Sequence, residues 1–121
     1  MRYMLLIYSQ ETNEPLTPEE VTTIRRGHAA VMDETATRGV LRGVDRLKPT
    51  TTATTVRTVN GTAMTIDGPF AETKEQLAGY YIVECNNLDE AIEWAKKIPT
   101  SCRGSGGCIE VRPIDDLPPR Q

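Results

Sequence analysis

Two segments constrain this chain more than any others. Tyr3–Tyr8 and Gly79–Cys85 are apolar at nearly every position. Side chains alternate across a strand, so Tyr3, Leu5 and Ile7 point one way while Met4, Leu6 and Tyr8 point the other. In Tyr80–Cys85 both faces are again mostly apolar. A sheet built on such strands needs a cover on each side. The 121 residues suffice for one domain. Its own helices can cover one face. The other face calls for a second sheet, most simply that of a second copy, so the sequence predicts a homodimer through the sheet face.

The remaining elements follow from local signals. Thr17-Pro18-Glu19-Glu20 starts a helix: Thr17 is the N-cap, Pro18 takes the first helical position and Glu20 completes a capping box. Val21, Ile24, His28, Val31, Met32 and Thr35 form one buried stripe. Gly39 ends the helix. Val40–Leu47 reads as a second strand. Asn60-Gly61 between Val56–Val59 and Thr62–Ile66 is a strong hairpin signal. Asp67-Gly68-Pro69-Phe70 is a turn, and Ala71–Leu77 reads as a short helical turn. Asn87 caps a second helix with Leu88, Ala91, Ile92, Ala95 and Ile98 on one face, stopped by Pro99. Ser101–Gly107 is a loop and Ile109–Ile114 the last strand. The fold class is α+β: a ferredoxin-like βαββαβ unit with an inserted β-hairpin, both helices on one face of the sheet. A single domain spans 1–114, and a polar, Pro-rich tail spans 115–121.

Composition narrows the function. The formal charge is -3, with fourteen Lys and Arg against seventeen Asp and Glu. Arg38, Arg42, Arg46 and Lys48 make the most basic stretch, but Asp45 interrupts it and no aromatics interleave. It reads as a solvated edge, and nothing physical supports direct nucleic-acid binding. Cys85, Cys102 and Cys108 are an odd number without a CxxC pair, which argues against a disulfide framework or a zinc site. A reduced cytoplasmic setting is the simpler reading. The N-terminal apolar run is too short for a secretion signal, and no stretch approaches a membrane span.

His28 is the sole histidine. It excludes any site with two His ligands, and nothing in the spacing supports a metal. On the buried stripe it reads either as a core histidine satisfied by one hydrogen bond or as a general acid/base. A base needs an orienting partner, and Asp67 and Glu72 are the candidates. Asp67 has a competing reading in turn chemistry. Glu72, with Lys74 and Glu75, has one as a solvated charge cluster. Tyr8, Tyr80 and Tyr81 read as packing residues that could also orient a ligand. Gly104-Ser105-Gly106-Gly107 lacks the lysine and helix of a phosphate loop. The sequence requires no cofactor.

The stretch Asp67-Gly68-Pro69-Phe70-Ala71-Glu72-Thr73-Lys74-Glu75-Gln76-Leu77-Ala78-Gly79-Tyr80-Tyr81 resembles the YCII-related family, within it the DGPF-domain subgroup. Met1–Tyr8, the Leu88–Trp94 helix and Ile109–Ile114 extend the likeness over almost the whole chain. The resemblance implies a dimeric α/β-barrel of ferredoxin-like protomers. It also implies general acid/base work by a His-Asp pair in a cleft, here His28 with Asp67. The reading that follows is a small enzyme acting on a small organic substrate. The alternative is a non-catalytic small-molecule-binding or regulatory homodimer.

Overall fold

In the computed structural model, residues 1–11, 14–100 and 106–119 are described. The elements run β1 (Arg2–Ser9), α1 (Pro18–Thr37), β2 (Leu41–Arg46), β3 (Thr54–Val59), β4 (Thr62–Asp67), β5 (Gln76–Glu84), α2 (Leu88–Ala95) and β6 (Cys108–Pro113). Four strands form one antiparallel sheet in the order β2-β5-β1-β6, and β3 and β4 form a separate two-stranded ribbon. Removing that ribbon leaves a βαββαβ order, consistent with a ferredoxin-like α+β fold.

The capping box forms as the sequence predicts. Thr17 Oγ1 accepts from Glu20 N at 3.1 Å, and Glu20 Oε1 accepts from Thr17 N at 2.9 Å. Thr17→Ala is therefore expected to lower stability by about 1 kcal/mol, measurable by urea unfolding. At the other end Gly39 adopts a φ of 72°. Gly39 N donates to Ala36 O and Val40 N to Thr35 O, a Schellman closure that needs glycine's left-handed freedom.

The two parities of the central strands separate as expected. Tyr3, Leu5, Ile7, Tyr81 and Val83 are buried with Val31 of α1 and Ala91 and Trp94 of α2, so both helices share one core. Opposite this, Met4, Leu6, Tyr8, Tyr80 and Ile82 are half-buried. The register puts the two sets on opposite faces: Leu5 pairs with Tyr81 and Leu6 with Tyr80.

Several local expectations need correcting. Ala71–Leu77 forms no helical turn; Gln76 and Leu77 already belong to β5 and pair with Ser9 and Tyr8. Side-chain bonds favour the bend, since Thr73 Oγ1 donates to Glu75 O and Gln76 Nε2 to Thr73 O. α2 ends at Ala95, not Ile98, because Lys97 N and Ile98 N turn back onto Trp94 O and Ala95 O and tighten the last turn. Leu88, placed by its spacing on the buried face, is exposed, whereas Trp94 is buried. The Ser101–Gly107 loop, Gly106 and Gly107 excepted, and Cys102 lie outside the described residues, as do the last two residues of the tail. Among the described residues no helix is long and apolar enough to cross a membrane.

Candidate functional site

His28 sits midway between Ile24 and Met32 on the inner side of α1 and is half-buried. The preceding Gly27 lets the helix approach the segment that follows α2: a Cβ there would lie 2.7 Å from Pro99 Cγ. From the sheet, Tyr81 rises toward the helix because its parity matches Val83 and Leu5. The two side chains meet. His28 Nδ1 lies 2.8 Å from Tyr81 Oη, and the rings are near-parallel at 14° with centroids 6.0 Å apart.

The protonation states follow from the surroundings. Burial lowers the His28 pKa below its usual 6.5, and the positive charge of Arg46 lowers it further. Burial pushes the Tyr81 phenol up to about 12. Both groups are therefore neutral at physiological pH. Two arrangements satisfy the contact. If the phenol donates to Nδ1, Nε2 carries the ring proton and is a donor. If Nδ1–H donates to the phenol oxygen, Nε2 has a free lone pair and is a base. Among the described residues Nε2 has no hydrogen-bond partner, and no buried side-chain nitrogen or oxygen is left unsatisfied. Nε2 therefore reaches solvent.

Arg46 owes its position to register. It pairs with Gly79, and Val44, two residues before it, pairs with Tyr81. Arg46 thus shares the helix side of the sheet with Tyr81. Among the described residues its guanidinium has no hydrogen bond or ion pair.

Neither carboxylate named from the sequence is hydrogen-bonded to His28. Asp67 ends β4, opposite Thr54, and is exposed. Glu72 is exposed in the bend before β5 and lines a cavity of ≈ 300 Å³ with Thr50, Thr51, Pro69, Ala71, Thr73 and Gln76. A second cavity of ≈ 420 Å³ lies between the end of α1 and α2, lined by Arg38, Trp94 and Lys97 among others. His28 lines neither. Sequence reasoning passed over the Tyr81 contact. The alternation of Tyr80 and Tyr81 was the available signal, because it sends one phenol to the helices and the other to the open face. There Tyr80 Oη donates to Asp45 Oδ2 at 2.5 Å, and that bond raises the Tyr80 pKa.

The two described thiols are quiet. Cys85 is buried and Cys108 exposed, both free. Burial raises both thiol pKa values, and Glu75, 3.7 Å from Cys108 Sγ, adds to the effect there. Neither has the lowered pKa of a nucleophilic cysteine. Among the described residues no group of three or more His, Cys, Asp or Glu side chains is gathered where a metal could sit.

Residues 1–117 match the YCII-related domain. The chain belongs to the YCII-related family. It is also 41% identical over 115 residues to "Uncharacterized protein R00369" of Rhizobium meliloti (strain 1021). That match covers 94% of this chain and 92% of the relative, whose name assigns no activity. Membership in the YCII-related family brings no residue roles with it, so the chemistry rests on the geometry around His28.

Proposed function

We propose that this YCII-related protein, of the DGPF-domain subgroup, performs general acid/base chemistry on a small organic substrate. His28 carries the proton and Tyr81 positions it. The observation behind this reading is the 2.8 Å contact between His28 Nδ1 and Tyr81 Oη. It holds one ring nitrogen and leaves the other open. With Nδ1–H donating to the phenol oxygen, Nε2 removes a proton from the substrate and returns it later as an acid. Tyr81 takes the orienting part that a carboxylate plays in other bases. Asp67 and Glu72 take no part in this step.

The working unit in this proposal is a cytoplasmic homodimer joined sheet to sheet. Met4, Leu6, Tyr8, Tyr80 and Ile82 line a sheet face that no helix of the protomer covers. The β3–β4 ribbon adds exposed Val59, Met64 and Ile66. A lone two-stranded ribbon is marginal in water, which favours a second chain packing against it. Light scattering at micromolar concentration is expected to give a dimer mass, and Leu6→Glu a monomer. A monomeric wild type would overturn the dimer.

The acid/base reading is tested by solvent-deuterium incorporation into a panel of small carbon acids. The wild type is expected to catalyse exchange and His28→Ala to lose it. A second reading, a non-catalytic small-molecule-binding or regulatory homodimer, is favoured by one observation: His28 lines neither cavity. Ligand binding retained in His28→Ala, with no exchange in either protein, would decide for it.

A further inference from the structure

The bend that carries Glu72 has a role to account for that His28 does not supply. It forms one wall of the ≈ 300 Å³ cavity, and the turn at Thr50–Thr52 forms the other. The two walls are tied together through Glu11. Its carboxylate accepts from Thr50 N and Thr50 Oγ1, each at 2.7 Å. Its backbone N–H donates to Gln76 Oε1 at 2.8 Å. Gln76 Nε2 donates onward to Thr73 O, and Thr73 Oγ1 to Glu75 O. Thr50, Thr73 and Gln76 thus spend their polar side-chain groups on holding the cavity open.

Two lining groups remain. Among the described residues neither the Glu72 carboxylate nor the Thr51 hydroxyl has a hydrogen-bond or ion-pair partner. Among the described residues no Lys or Arg lines the cavity, and the Glu11 carboxylate stands directly behind Thr50. Pro69 and Ala71 supply apolar wall. The volume suits a small molecule, and a pre-formed cleft with few free polar groups is the usual form of a ligand site. Glu72 is the one charged side chain among the described lining residues, so the cavity favours a cation. One carboxylate and one hydroxyl are too few hard oxygens for a calcium or magnesium ion, which takes about six ligands. An alkylammonium fits better: its N–H groups donate to Glu72 and Thr51 while its methylenes lie on Pro69 and Ala71.

We propose that the Glu72 cavity is a binding site for a small primary amine, separate from the His28–Tyr81 pair. The probe is n-butylammonium, titrated at constant ionic strength because exposed charge pairs are screened by salt. Butyrate is the control of equal length and opposite charge. Amide NMR shifts at Thr50, Thr51, Ala71, Glu72, Thr73 and Gln76 are expected to saturate with n-butylammonium and not with butyrate. Glu72→Gln keeps the shape of an exposed side chain and is expected to weaken binding about fivefold, the upper range for an exposed charge pair. Thr51→Val is expected to weaken it less. Absence of saturation, equal response to butyrate, or unchanged affinity in Glu72→Gln would overturn the proposal. None of these results bears on His28, whose readout is proton exchange.

Discussion

Leu5→Ala is expected to lower the unfolding free energy by about 2–5 kcal/mol. Leu5 is 1% exposed at the centre of the sheet, between Tyr81 on β5 and Val111 on β6. The loss combines the transfer of the removed methyl and methylene groups with the hole they leave. Relaxation is restricted, because its cross-strand partner Tyr81 and the core residue Val83 are also fully buried and interiors are close-packed. A domain of this size has about 5–15 kcal/mol in total, so the upper end of that cost removes a large share of it. Urea unfolding at one fixed protein concentration makes the comparison, since dimerisation would make stability depend on concentration. Leu117→Ala is the control: Leu117 is 87% exposed, and its truncation is expected to change stability by less than about 0.5 kcal/mol.

The same residue shows which parts of the fold are legible in the sequence. Leu5 and Leu6 are chemically identical, yet one is buried by the helices and the other is on the open face. Alternation alone separates them, because a strand has a fixed period of two. The capping box at Thr17 and the Asn60-Gly61 hairpin are legible for a similar reason: each is a contact within a few residues, with a fixed spacing. What fails is what depends on distant partners. The Ala71–Leu77 stretch has the residues of a helical turn, but Gln76 and Leu77 find Ser9 and Tyr8 nearly seventy positions away. Leu88 fits the buried stripe of α2, yet the stripe turns so that Trp94 is covered instead. Lys97 and Arg38 lie over its indole, at 4.9 and 5.8 Å from the ring.

The candidate site divides along the same line. The stripe placed His28 correctly on the inner side of α1, because helical periodicity is local. Its partner lies on a strand 53 residues away. A carboxylate was the natural expectation, since charge makes a strong orienting bond. The sheet instead offers a neutral phenol, chosen by the parity of Tyr81 against Tyr80. A neutral partner changes the chemistry. A carboxylate would raise the imidazole pKa, whereas here burial and Arg46 lower it.

Tyr81→Phe is expected to cost about 1–3 kcal/mol, because it leaves His28 Nδ1 half-buried with no partner. The ring itself stays, so the packing loss is small and the hydroxyl is what is measured. The pH dependence separates this cost from the titration of His28. The folded-state pKa of His28 is depressed from 6.5. Above 6.5 the imidazole is neutral in both folded and unfolded chains, and its contribution to stability is fully present. As pH falls below 6.5 the unfolded chain takes up the proton first, so stability is lost until the pH has passed through the folded-state pKa. Tyr81, with its phenol pushed up to about 12, does not titrate in this window. Urea unfolding at about pH 7.5 and 5.5 is therefore expected to show a larger loss on acidification for wild type than for His28→Gln. Tyr81→Phe should be weaker at both pH values yet keep an acid-sensitive slope, because burial and Arg46 still act on the imidazole. Equal slopes in wild type and His28→Gln would show that the fold does not hold His28 neutral. A base at Nε2 requires that it does, so this measurement bears on the proton-transfer step before any substrate is known.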